Sequence, residues 1–243
     1  MEELKTTATE STDGLSRIFE KHGVGEGAKI LDLASGIGRI AINLAKKGFD
    51  VVGIDISPLY LEYAKKWASK EGLDDKIQFS RMDSRDTARK LRSRGEKFDA
   101  VISIGTAMGY FGEDDDLRTF TSVRAIAGPY SRLVINTVSR DYLIKNFQPN
   151  SISRIRDTEL HEIRHLNMEE SVMENRWKFY KKRRGSLQLA LDVPISHRVY
   201  SLHELKNLLE SAGWKYLESY GSLRDLTPLT TDSVHMTVVS QKR

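Results

Sequence analysis

The 243-residue sequence contains no cysteine. That one absence excludes disulfides, thiolate metal sites and cysteine nucleophiles together. No stretch approaches the roughly 20 consecutive apolar residues of a membrane span, so no membrane partner is expected. The opening Met1-Glu2-Glu3-Leu4-Lys5 lacks the basic start and apolar segment of a secretory signal, and a cytoplasmic protein is the expectation. Six histidines are scattered without metal-ligand spacing. His161 and His165 sit four apart, but a charged surface element suits them better than a metal, and none is expected. Internal repeats and low-complexity tracts are also missing. What is present is 39% hydrophobic and 30% charged residues, a soluble globular profile whose length suits one α/β domain. The formal charge of +4 is only mildly basic. Its one dense cluster, Lys181-Lys182-Arg183-Arg184-Gly185, lies between two strand-like segments and reads as a solvated hairpin turn before it reads as a nucleic-acid patch.

The most informative stretch runs from Ile30 to Asp55. Ile30 to Leu33 is a short apolar run suited to a buried parallel strand. Gly36 and Gly38 let the backbone turn tightly and approach a ligand. Arg39 to Lys47 then reads as a helix, with Ile40, Leu44 and Ile42 toward the sheet and Gly48 as its stop. Val51 to Asp55 is a second strand, and Asp55 ends it nineteen positions after Gly36. A carboxylate at that place can accept two hydrogen bonds from a ribose diol, while the helix start favours an anionic group. The chain therefore binds a nucleoside carrying an anionic group.

Two cofactors fit that description. Gly36-Ile37-Gly38-Arg39-Ile40-Ala41 satisfies the dinucleotide fingerprint with alanine in third place. The pattern acid-x-Ala-x-Gly-x-Gly, on Asp32, Ala34, Gly36 and Gly38, resembles the first motif of class I S-adenosylmethionine-dependent methyltransferases. A dehydrogenase has no need of Asp32, whose charge would repel a pyrophosphate, and the length leaves little room for a separate substrate domain. The resemblance continues down the chain through Asp55-Ile56-Ser57-Pro58, Phe79 to Ser84, Phe98 to Gly105, Arg132 to Thr137, His197 to Trp214 and Met236 to Ser240.

The resemblance implies an α/β, Rossmann-like fold: a seven-stranded, mostly parallel sheet with helices on both faces and an inserted antiparallel lid. It implies S-adenosyl-L-methionine as cofactor, with Asp32 near its methionine part and Asp83 and Ser84 at its adenine. The full cofactor-binding set is Asp32, Ala34, Ser35, Gly36, Gly38, Asp55, Ile56, Met82, Asp83, Ser84 and Ile104. Asp83 also reads as a helix N-cap for residues 84 to 92. A single domain is expected, with residues 1–28 as an N-terminal cap and 29–138 as the cofactor-binding core. Residues 139–200 then form a substrate-facing sheet, and 201–243 the last helix and terminal strands. The insertion alternates like antiparallel strands at 152–155, 161–166, 171–180, 187–192 and 197–200. The acidic run Glu113 to Asp116 reads as a helix start.

Methyl transfer needs positioning and desolvation more than side-chain chemistry, so a general base is optional. No catalytic residue is named beyond the candidate Tyr110. Tyr110, Tyr142 and Arg198 are the candidate substrate contacts, with Phe111, Asn136, Arg140 and Tyr200 nearby in sequence. The Asp/Asn-Pro-Pro-aromatic signature of exocyclic base methylation is missing after Gly105. The expected reaction is methyl transfer to nitrogen or oxygen of a small-molecule acceptor. An RNA methyltransferase and a cofactor-binding module without catalysis are the alternatives, and a homodimer stays open.

Overall fold

A computed structural model describes residues 2–243 apart from Arg94 and Arg184. An opening helix α1 (Glu2–Lys21) leads into β1 (Lys29–Leu33), α2 (Arg39–Lys46), β2 (Asp50–Asp55), α3 (Pro58–Lys70) and β3 (Ile77–Arg81). A short 3-10 turn (Ser84–Asp86) precedes α4 (Thr87–Arg92), followed by β4 (Phe98–Ile104), α5 (Glu113–Arg124) and β5 (Ala127–Val138). Then come α6 (Arg140–Lys145), β6 (Asn150–Ile155), β7 (Thr158–Asn167), β8 (Val172–Arg183) and β9 (Ser186–Arg198). The chain ends with α7 (Leu202–Ser211), β10 (Trp214–Tyr220) and β11 (His235–Lys242).

Seven strands form one sheet in the order β3-β2-β1-β4-β5-β11-β10, with β11 antiparallel to both neighbours. The first five strands pair in parallel. Their residues alternate between two apolar layers, as strands covered on both faces must. Ile30, Val51, Ile102 and Val134 pack with Leu15, Ile18 and Phe19 of α1 and with Ile42 and Leu44 of α2. Leu31, Val52, Val101 and Leu133 pack instead with Phe120 of α5, with Leu205 and Leu209 of α7 and with Trp214. Ile40 departs from the expected inward set: it is only partly buried and lines a cleft. The four acidic residues expected to open a helix do so at α5.

Strands β6 to β9 form a separate four-stranded antiparallel sheet. The five expected strands of this insertion become four, because 187–192 and the start of 197–200 run together as β9. Residues 197–200 are not an exposed strand: β9 ends at Arg198, and Val199 and Tyr200 are buried, with Tyr200 bridging in parallel to Ser139. His161 and His165 lie on β7, against Glu159 and Glu174. Lys181, Lys182 and Arg183 end β8 at the tip of its hairpin with β9, while Arg184 lies outside the described residues. No described helix is long and apolar enough to cross a membrane.

Candidate cofactor and acceptor site

Strand order reverses between β1 and β4, so their carboxyl ends diverge and leave a crevice. After Leu33 the chain turns through Ala34 and Gly36, both with left-handed φ of +53° and +57°. The turn is tied to the end of β2. The Ser35 N–H donates to the Ile54 carbonyl at 2.8 Å. The Gly36 N–H donates to Asp55 Oδ2 at 2.9 Å, and the Ser57 N–H to Asp55 Oδ1 at 2.8 Å. A carboxylate oxygen has two lone-pair sites, so Asp55 can brace this loop and still accept hydrogen bonds from a ligand.

The two turn glycines differ. A Cβ on Gly38 (φ +80°) would fall 2.7 Å from the Phe79 ring and 3.2 Å from Ala64 Cβ. One on Gly36 would meet nothing within 4 Å. Gly38 is therefore demanded by packing, whereas Gly36 presents bare backbone to open space.

Asp32 is 3% exposed. Among the described residues its carboxylate has no hydrogen-bond or ion-pair partner. Burial, and secondarily the nearby Asp55, push its carboxyl up to about 8. A buried, unpaired acid at a ligand crevice is stabilised by a cationic ligand group.

Past β3, Met82 donates its N–H to the Asp55 carbonyl at 3.0 Å while its side chain is buried in the core. Ile56 is 57% exposed just beyond Asp55. Asp83 caps the 3-10 turn through the Arg85 N–H at 3.0 Å and also receives Arg85 Nε at 3.0 Å and a terminal nitrogen at 2.7 Å. These bonds hold its carboxyl below the usual range. Arg85 reaches Asp115 at 3.1 Å and lies 3.8 Å over the Phe111 ring. The sequence reading overlooks Arg85, although Asp83-x-Arg85 facing the acidic run before Leu117 is the available signal.

A cavity of about 940 Å³ opens beside this crevice. Ile104 and Gly105 from the end of β4, Asn136 of β5, Arg39 and Ile40 of α2 and Thr7 and Ser11 of α1 line it. Its outer wall is the β10–β11 connection from Gly221 to Val234, which carries no sequence motif and is not anticipated from the sequence. Ile104 alone of the expected cofactor set borders this cavity; Ala34 and Ser84 border a smaller one with Tyr110 and Phe111.

Of the three expected acceptor contacts, Tyr110 and Arg198 lie on segments that meet, through the Arg198 N–H to the Gly109 carbonyl at 2.9 Å. Tyr110 is 45% exposed, with its ring 5.7 Å from that of His197, whose pKa burial lowers. Tyr142 is half-buried on α6 and borders none of the described cavities. Arg198 is held among carboxylates, at 2.6 Å from Glu113 and 3.3 Å from Glu204, and donates to the Glu170 carbonyl. These contacts hold its guanidinium between α5, α7 and the turn before β8.

Tyr200 is 1% exposed, and its hydroxyl donates to Asp116 Oδ2 at 2.7 Å. Burial raises the pKa of both groups. The Gly109 N–H donates to the same carboxylate at 3.0 Å, and the Arg198 N–H to the Gly109 carbonyl at 2.9 Å. The loop after β4, which carries Tyr110, is thus clamped to the root of the second sheet.

Comparison with known proteins agrees with this geometry. The sequence profile of the family described as "Methyltransferase domain" matches residues 30–129. YqeM of Bacillus subtilis (strain 168), a methyltransferase by its given name, is 32% identical over 136 residues, covering 56% of this chain and 52% of YqeM. The glycine/sarcosine N-methyltransferase of Parasynechococcus marenigrum (strain WH8102) is 31% identical over 126 residues, covering 52% of this chain and 40% of that protein. The chain thus spans about half the length of the curated relatives it matches. A crystal structure of an S-adenosylmethionine-dependent methyltransferase from Clostridium acetobutylicum ATCC 824 superposes with a TM-score of 0.81 at 15% identity, covering 96% of this chain and 91% of that one. The open Gly36 turn, the paired Asp55 and the unpaired Asp32 suit a ligand with a ribose diol and a cationic tail. Residues 30–129 thus match the methyltransferase-domain family, and the chain shares its overall fold with an S-adenosylmethionine-dependent methyltransferase.

Proposed function

We propose that this protein transfers a methyl group to a nitrogen or oxygen of a small-molecule acceptor. The observation that carries the reading is the cavity of about 940 Å³ lined by Ile104 and Gly105 after β4, Asn136 of β5 and Arg39 and Ile40 at the start of α2. When bound, S-adenosyl-L-methionine supplies an electrophilic methyl carbon on a sulfur leaving group. The chain's own part is to hold and orient. Asp55 takes the ribose hydroxyls, the Ala34 to Gly38 turn lies against the cofactor, and Asp83 and Ser84 receive its adenine. The cavity would hold the acceptor beside the bound cofactor, which substitutes for a costly bimolecular encounter.

An acceptor amine or hydroxyl loses a proton during such a transfer. Tyr110, which borders the smaller cavity with Ala34 and Ser84, is the candidate acceptor contact, and Ile104 walls the larger cavity at the end of β4. The relatives include N- and O-methyltransferases by name, which supports both acceptor atoms. An open cavity argues against a binding module without catalysis. Labelled methyl incorporation tests the reading across small amines, hydroxy acids, phenols and bulk RNA. Transfer to one of the small-molecule classes is expected. Transfer to RNA alone would reassign the substrate class, and no transfer to any of them despite cofactor binding would favour the binding module.

A further inference from the structure

His235 lines the cavity of about 940 Å³ and makes no side-chain hydrogen bond, ion pair or ring contact among the described residues. Strand β11 runs antiparallel to β5, so its first residue lies at the edge of the sheet where β4 and β5 end. The register fixes its neighbourhood. Asn136 stands between Ile104 and Thr237, and its Nδ2 donates to Thr237 Oγ1 at 3.0 Å. His235 is two residues before Thr237 and so shares its face of the sheet. That face is the one α1 and α2 cover, and Thr7, Ser11 and Ile40 of these helices line the same cavity. Strands lie about 4.8 Å apart, which sets Ile104 and Thr237 roughly 10 Å apart across β5, with His235 one pleat nearer the open edge. That span leaves room for a small acceptor.

The charges around it favour one kind of acceptor atom. Asp232 is the one carboxylate among the described lining residues, and Lys145 holds it at 2.6 Å. Arg224, paired with Glu10, and Arg39 bring two guanidiniums. A protonated amine entering this cavity meets like charge and no free carboxylate, whereas a neutral hydroxyl meets no such opposition. The histidine itself is uncharged at neutral pH: burial alone lowers its pKa from the ordinary imidazole value, and none of these charged groups contributes. A hydroxyl is a weak nucleophile until its proton is taken, and a neutral imidazole is the side chain suited to take it. His197, whose pKa burial also lowers, borders neither of the two cavities at this edge of the sheet.

We propose that the acceptor is a hydroxyl compound and that His235 is the general base that takes its proton. This rests on the methyl-transfer reading above and narrows it to oxygen. As the acceptor oxygen bonds to the methyl carbon, the carbon–sulfur bond breaks and its electron pair stays on sulfur. The hydroxyl proton passes to a ring nitrogen of His235 and from there to water.

The test measures labelled methyl incorporation into matched acceptors, hydroxy acids against amino acids and phenols against anilines, with wild type, His235→Gln and His235→Ala. Label should enter a hydroxyl member. At saturating cofactor both substitutions should lower kcat by about a hundredfold or more, the usual worth of a general base. Calorimetry should find S-adenosylhomocysteine affinity within about twofold of wild type in both variants. Wild-type kcat should fall as pH drops through a value below about 6.5, a limb that His235→Gln lacks. Added imidazole should restore part of the activity of His235→Ala. Transfer to amines alone, unchanged kcat in both variants, or an acidic limb that persists in His235→Gln would overturn the proposal. So would an equal loss of S-adenosylhomocysteine affinity, which would mean damage to the cavity wall. No transfer to any acceptor by a wild type that binds S-adenosylhomocysteine would instead remove the methyl-transfer reading itself.

Discussion

Asp32 makes the affinity for the cofactor depend on pH in a way that can be worked from its surroundings. Its carboxyl is pushed up to about 8 by burial and by Asp55. In the free protein at pH 7 the acid is therefore protonated in about nine molecules of ten. A ligand ammonium placed against it favours the ionised form, so binding must expel that proton. The sign is fixed: below pH 8 each unit of acidity adds about 1.4 kcal/mol to the cost of ionising Asp32. Affinity for S-adenosylhomocysteine should consequently fall about tenfold per unit from pH 7.5 down to pH 5.5. The ligand's own α-amino group, which titrates near 8, is about three-quarters charged at the top of this window and almost fully charged below pH 7. Calorimetry in buffers of different ionisation enthalpy should detect close to one proton released per ligand bound at pH 6.5. Asp32→Asn cannot ionise, so it should bind with little pH dependence and release no proton. A flat affinity for wild type across the window, with no proton release, would refute the reasoning and show that water or the loop already solvates Asp32.

Three further outcomes follow from the same geometry. Asp55→Ala should weaken cofactor binding by about 1.5–3 kcal/mol and also lower the melting temperature, because Gly36 and Ser57 lose the acceptor of their N–H groups; calorimetry and thermal melts check both halves. Gly38→Ala should destabilise the fold more than Gly36→Ala in urea titrations. Both pay about 1–2 kcal/mol for left-handed φ, but only the first drives a Cβ to within 2.7 Å of Phe79. Neutralising Lys181, Lys182 and Arg183 together should leave small-molecule turnover nearly intact, since these exposed residues end a hairpin and their charges are screened at ordinary salt; a fall in RNA methylation with a shallower salt dependence would instead mark them as phosphate contacts.

The parallel half of the fold is legible in the sequence because each strand is covered on both faces. Ile30-Leu31, Val51-Val52 and Ala100-Val101-Ile102 are continuous apolar runs for that reason, and the glycines between β1 and α2 mark the turn. The second sheet is harder to delimit. Its strands expose one face, and pairs such as Arg176–Asp192 and Arg154–Glu159 place charges inside strands, where polarity alone reads as a boundary. The site divides in the same way. The Gly36–Asp55 bond spans nineteen residues but is announced by local strand–turn chemistry. The fates of Tyr200 and Arg198 depend on Asp116, Gly109 and Glu113, which only the tertiary fold brings near. Nor does any local pattern reveal that the connection from Gly221 to Val234 walls the main cavity.

The second sheet leaves the first at Ser139 and returns at Tyr200, and these two residues are paired with each other. An excursion of about 60 residues therefore begins and ends at neighbouring points. Changes in its length, twist or sequence need not move the flanking elements, because closing a longer loop between fixed, adjacent ends adds little entropy. Both anchor points are themselves fastened on the core side: Ser139 caps α6, and Tyr200 is tied to Asp116. The architecture thus separates two rates of permissible sequence drift. Gly38 in the turn between β1 and α2 is fixed by its packing on Phe79, while the sheet beyond Ser139 can be exchanged as a cassette. A chimera carrying a different insertion, joined at these two residues, would keep the nucleoside end of the molecule and acquire a new outer wall.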